Sequence, residues 1–143
     1  MPIVYLCSTG TYSSIVAANL HIGRIDEQCK VQDIISLPHF GEFINRTGIF
    51  LFIGEDSKGD MVYTLGTGCE AQLIKKSALD LAKIMGYQLD HTKLIDMSNY
   101  IPKYLGWFNT VFHKQRRIYF AKRLYRQLKT MDKEVRNFKE QGR

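Results

Sequence analysis

Short apolar runs alternate with small and polar stretches along this chain, and most have either the length of a strand or the spacing of a helix. Pro2-Ile-Val-Tyr-Leu-Cys7 is rich in β-branched and aromatic residues and ends at a loop of small residues, which predicts a buried strand. Ile15, Ala18, Leu20 and Ile22 then fit a helix over 13–22, with Ser13 or Ser14 as cap and Gly23 as stop. Val31 to Leu37 reads equally as a strand or a helical turn before Pro38. Ile49–Ile53 and Asp60–Leu65, joined by Gly54-Glu-Asp-Ser-Lys-Gly59, predict an antiparallel hairpin. A helix follows, in which Leu73, Ile74, Ser77, Ala78, Leu81, Ile84 and Met85 form the expected buried face. Glu70 falls in its first turn and Gly86 at its end. Lys93–Met97 predicts another strand and Pro102–Phe112 a short aromatic-rich helix.

The most regular pattern lies at the C-terminal end. Ile118, Ala121, Tyr125, Leu128, Val135 and Phe138 share one side of a long helix. Lys122, Arg126, Lys129, Lys133 and Arg136 form a second row, displaced by about 100°. The expected fold is therefore one α/β domain over 1–143: a mixed, mostly parallel sheet with one β-hairpin, flanked by helices and closed by a long basic C-terminal helix.

Bulk composition narrows the classes. A chain of 143 residues matches one ordinary domain with a real core. No apolar run approaches the roughly 18 residues of a membrane span, and the N-terminus lacks the pattern of a secretory signal. A cytoplasmic protein without membrane contact is expected. Cys7, Cys29 and Cys69 are odd in number and never form a C-x-x-C pair, and His21, His39, His91 and His113 are scattered. Neither a disulfide framework nor a metal site has a signature, and no cofactor is implied. The net charge of +6 is unevenly placed: residues 1–102 carry −3 and residues 103–143 carry +9. Such asymmetry is compatible with a nucleic-acid or acidic partner for the C-terminal arm. The competing and favoured reading is a solvated face on a helix that packs through Ile118 and its partners.

Candidate chemistry concentrates at Cys7-Ser-Thr-Gly-Thr-Tyr-Ser-Ser14. A loop between a strand end and a helix start gathers unpaired backbone N–H groups in the positive field of the helix dipole. Gly10 permits a tight turn and close approach to a ligand. Ser8, Thr9, Thr11, Ser13 and Ser14 add hydroxyl donors beside Tyr12, and Cys7 feels the same field, which favours thiolate. The expectation is an anion- or phosphate-binding loop with Cys7 as candidate nucleophile; the competing reading is a capped helix start and an inert core cysteine. Leu65-Gly66-Thr67-Gly68-Cys69-Glu70 repeats the strand, small-residue loop and helix. Gly66, Thr67 and Gly68 become accessory residues if the two strands are neighbours, although Glu70 would repel an anion there. His21 is a further accessory candidate, lying two turns along the first helix.

Two resemblances bear on this loop. The spacing of Cys7, five residues and Ser13-Ser14 is similar to that of low-molecular-weight tyrosine phosphatases and their arsenate-reductase relatives, which have Cys, five residues, Arg and Ser or Thr before a helix. Ser13 stands where that pattern has Arg, so the largest side-chain contribution to transition-state charge stabilisation is missing. Arg24, Arg46 and Lys58 are cations that folding could bring there, though no spacing points to them. The second resemblance is to a family of small bacterial proteins of unknown function, found mainly in spore-forming Gram-positive species. It is carried by Tyr5-Leu-Cys7, Gly10-Thr-Tyr-Ser-Ser14, Ala17-Ala18, His21-Ile-Gly23, Gly54-Glu-Asp-Ser-Lys-Gly59 and Val62-Tyr-Thr-Leu-Gly66. It departs at Tyr12, where that pattern has His, and at Thr9, where it has Gly. It implies a shared fold and loop, and no reaction.

The leading expectation is thus a small protein binding a phosphorylated or otherwise anionic small molecule at Cys7–Ser14. The alternatives are a nucleic-acid-binding module using the helix at 116–139 through Lys122, Arg126, Lys129, Lys133 and Arg136, and a protein-interaction factor in which the loop is structural.

Overall fold

A computed structural model describes residues 2–42, 48–68, 70–86, 93–101 and 113–142. The elements run β1 (Ile3–Cys7), α1 (Ser13–His21), α2 (Val31–Ile35), β2 (Phe50–Glu55), β3 (Met61–Gly66), α3 (Ala71–Ile84), β4 (Leu94–Asp96), α4 (His113–Arg126) and α5 (Leu128–Gln141). The expected helix at 102–112, Cys69 and His91 lie outside the described residues.

The sheet order is β2-β3-β1-β4. β1 runs parallel to both neighbours, pairing Ile3 with Val62 and Val4 with Leu94, and the β2–β3 hairpin supplies the one antiparallel pair. This is the mixed α/β architecture that the alternation of runs predicted. All five residues of β1 are buried, as a central strand covered on both faces requires. β2 is an edge strand whose ladder slips register between Phe52 and Gly54.

The two faces differ. Ile3, Tyr5, Val62 and Ile95 face α1 and join a large core with residues of α2, α4 and α5. Val4, Leu6, Leu65 and Leu94 face α3 and pack with Tyr63, Ile74, Ala78 and Leu79. α1 is buried along its whole length, which explains its weak amphipathic pattern: it has apolar neighbours on every side. It ends where expected, with Gly23 at φ +76° just beyond the cap residue Ile22.

Three expectations are corrected. First, the α3 stripe is rotated: Leu73, Ser77, Leu81, Ile84 and Met85 are exposed, whereas Ala71 and Ala82 are buried and Ile74, Ala78 and Leu79 half-buried. Small residues let the helix approach the sheet, and its larger apolar side chains stand outside. Second, the C-terminal helical segment is interrupted at Gln127, whose φ −102° and ψ 4° leave the helical region. Third, its buried row is Phe120, Ala121, Leu124, Leu128, Met131 and Val135; Ile118 and Tyr125 are exposed and Phe138 is half-buried.

The shifted row is testable by urea unfolding. Leu124 is 0% exposed and Tyr125 45% exposed. Leu124→Ala is expected to cost about 2–5 kcal/mol of stability, by lost transfer energy plus the cavity left behind, and Tyr125→Ala under ~1 kcal/mol. Equal costs would restore the row that the sequence predicts.

Candidate functional site

β1 ends at Cys7 and the chain turns into α1 through residues 8–12. The helix start has no side-chain cap at Tyr12, and the serines expected to cap it are engaged elsewhere. Ser13 Oγ donates to the Met97 carbonyl at 2.8 Å, tying the helix to the end of β4. Ser14 Oγ lies 3.1 Å from Cys7 Sγ. The Gly10 N–H donates to the same sulfur at 3.1 Å, and Thr9 Oγ1 is 3.8 Å from it. Thr9 Oγ1 also accepts from the Thr11 N–H and hydroxyl, both at 3.3 Å.

Cys7 therefore occupies the place at the helix start where an anion is best held. Burial alone would push its thiol up. The Ser14 hydroxyl outweighs that, together with the backbone N–H groups of Ser14 and Tyr12, and holds the thiol below its ordinary value. Cys29 shows the contrary environment: burial, then Asp33 and Asp26, push it up to about 11. Cys7 itself is completely buried, so its reactivity depends on access through the loop.

The second loop adjoins the first. Cys7 pairs with Gly66, the Thr67 N–H donates to the Cys7 carbonyl at 3.0 Å, and the Gly68 N–H donates to the Ser8 carbonyl at 2.9 Å. Gly66, Thr67 and Gly68 thus brace the candidate loop. Gly10 has φ +72°, and a Cβ there would come within 2.6 Å of the Gly66 nitrogen. Backbone strain and backbone collision act together at this position.

Cations reach the loop from α4, a source that sequence spacing did not indicate. Arg116 Nε donates to Tyr12 Oη at 3.0 Å, and Arg117 donates to the Ile35 carbonyl at 3.0 Å. The Tyr12 ring packs between Phe40 and Phe120, so its phenol belongs to the core side of the loop. The cations proposed from sequence sit elsewhere. Arg24 bonds Asn19 Oδ1 at 2.9 Å, Lys58 lies in the hairpin turn, and Arg46 is outside the described residues. Lys122, Arg126, Lys129, Lys133 and Arg136 are exposed, divided between two helices, and Arg136 is paired with Asp132 at 2.7 Å.

His21 does not join the loop, because α1 carries it to the opposite end of β1. There Tyr5 Oη lies 2.7 Å from Nδ1 and Asp56 Oδ2 lies 3.1 Å from Nε2, while Lys139 Nζ donates to the His21 carbonyl at 2.6 Å. A neutral ring satisfies both contacts, accepting from the tyrosine and donating to the carboxylate. The network fastens the hairpin turn to α1 and α5. Among the described residues no group of three or more His, Cys, Asp and Glu side chains is placed to hold a metal ion, and no helix is long and apolar enough to cross a membrane.

Together these features define a small mixed α/β protein with a buried cysteine at the head of a strand–loop–helix unit. The chain belongs to the family described as "Protein of unknown function (DUF3189)", which matches residues 2–140. No curated protein and no solved structure matches it.

Two outcomes follow. Gly10→Ala is expected to cost roughly 2–4 kcal/mol in urea unfolding, more than an ordinary surface glycine in a left-handed turn, because the new methyl also meets Gly66. A cost below ~1 kcal/mol would mean that the two loops are not in contact. For His21, burial holds the ring below its ordinary value against the raising influence of Asp56. Between the folded value and 6.5 the unfolded chain binds more protons, so stability rises with pH through that window and is lost on acidification. Urea midpoints should fall as pH is lowered through it, and His21→Gln should flatten the decline.

Proposed function

We propose that the Cys7–Ser14 loop binds the anionic group of a small molecule, a phosphate or similar oxyanion, with the Cys7 sulfur at the base of the site. The observation that carries this reading is the setting of Cys7 Sγ: a fully buried sulfur that takes the Gly10 N–H at 3.1 Å, lies 3.1 Å from the Ser14 hydroxyl and is held toward its ionised form. A loop that stabilises negative charge on its own sulfur has the field that an external oxyanion needs. The start of α1 adds its dipole, and Arg116 and Arg117 bring positive charge to Tyr12. The phosphatase-like spacing supports the same reading, since Ser14, at its Ser/Thr position, is the residue whose hydroxyl meets the sulfur. The basic row is a weaker basis for function: the interruption at Gln127 divides it, and Asp132 engages Arg136.

Two negative charges in one loop must oppose each other, which gives the reading a specific signature. If phosphate binds with a Kd of about 1 mM, then about 10 mM should stabilise the fold by about 1.4 kcal/mol and raise Tm by about 4 °C. The same addition should raise the Cys7 thiol, followed by thiolate ultraviolet absorbance as the difference between wild type and Cys7→Ser. Without phosphate, Cys7 should ionise below the ordinary thiol value, and Cys29 near 11. No change in Tm together with an unmoved Cys7 titration would overturn the anion site. Ionisation of Cys7 at or above the ordinary value would return it to the role of a core residue.

A further inference from the structure

The carboxyl ends of β1, β3 and β4 border a cleft of about 220 Å³. Ser8 lines it from the candidate loop, Gly68 and Glu70 from the approach to α3, and Asp96, Ser98 and Asn99 from the end of β4. The neighbouring strands β1 and β3 send their connections to opposite faces here, and such a switch point is where open α/β sheets receive ligands.

Three properties define what this cleft accepts. Its volume is below the ~300–1,000 Å³ of pockets that enclose whole drug-sized ligands, so it suits one moiety rather than a nucleotide. Its described lining carries the carboxylates of Glu70 and Asp96 and no Lys, Arg or His, so a second anionic group entering it is repelled. Its polar groups are set to meet hydroxyls. Asp96 is oriented by Gln72 Nε2–H on Oδ2 and the Ser98 N–H on Oδ1, each at 2.9 Å, and keeps acceptor capacity beyond these bonds. The Asn99 side chain is exposed beside it and adds a further hydrogen-bonding group to the same wall.

We infer that the cleft holds the uncharged, hydroxyl-bearing part of a ligand whose single anionic group sits at the Cys7–Ser14 loop. The ligand class is a sugar- or polyol-type monophosphate, as opposed to a bisphosphate or nucleotide. The inference rests on the proposed anion site, to which Ser8 joins the cleft.

Amide NMR titrations separate the two parts, with Gly10 and Thr11 reporting on the loop and Ser98 and Asn99 on the cleft. Inorganic phosphate is expected to move the loop amides alone. Glycerol phosphate should move both sets and bind about tenfold tighter, the worth of one or two added hydrogen bonds. Fructose bisphosphate should bind no tighter than phosphate. Asp96→Asn should remove most of the tenfold preference while leaving phosphate affinity unchanged, and the exposed Glu70→Lys should raise bisphosphate affinity severalfold. If glycerol phosphate moves the loop amides but not Ser98 and Asn99, or if Asp96→Asn leaves the preference intact, the cleft assignment is overturned and the anion site stands. Movement of the cleft amides alone overturns both the anion site and the monophosphate class, as does no movement with any probe.

Discussion

The contact of Gly10 with the backbone of Gly66 is the constraint on which the rest of this structure depends. It lets the ends of β1 and β3 carry their two loops side by side, with no side chain between them. The Thr67 and Gly68 N–H groups can then reach the carbonyls of Cys7 and Ser8. The tightness of that join also directs the Gly10 N–H onto the Cys7 sulfur. A sulfur surrounded by donors at a helix start is a local arrangement, but it persists only because a neighbouring strand holds the loop from outside.

α1 connects two polar clusters of opposite character. At its start, the sulfur is held toward negative charge by hydroxyl and amide donors; at its end, His21 is held toward neutrality between a phenol and a carboxylate. All nine residues of the helix are buried, so neither cluster can be adjusted by sliding the helix. The polar residues of α1 are accordingly tied outward: Ser13 to the end of β4, Ser14 to Cys7, and Asn19 to Arg24.

Much of this was legible in the sequence. β1, the hairpin and the small-residue loop announce themselves through β-branched runs and turn residues, because strand pairing and tight turns depend on local residue type. Gly23 marks the end of α1 for the same reason. The faces of α3 and α5 were harder to read, since amphipathic spacing assumes that the largest apolar residues turn inward. In α3 the alanines at 71 and 82 set the approach to the sheet, leaving Leu81 and Ile84 outside. In α4 and α5 the pattern offered competing stripes, and Phe120, Leu124 and Met131 prevailed over Ile118 and Tyr125. The Ser14–Cys7 contact follows the seven-residue spacing, but the Ser98 and Asp96 side of the cleft, and the Asp56 partner of His21, come from strand order, which no local pattern encodes.

The position of β1 at the middle of the sheet has a kinetic consequence. Its partners are Val62–Gly66 on one side and Leu94–Asp96 on the other, so its hydrogen bonds close chain loops of roughly 60 and 90 residues. Closing loops of that size costs chain entropy before the pairing returns any favourable energy, which places folding among the slower, non-local topologies. The apolar Ile-Val-Tyr-Leu-Cys segment therefore stays unpaired until late. Until both long-range partners arrive, it is open to pairing with a strand from another molecule.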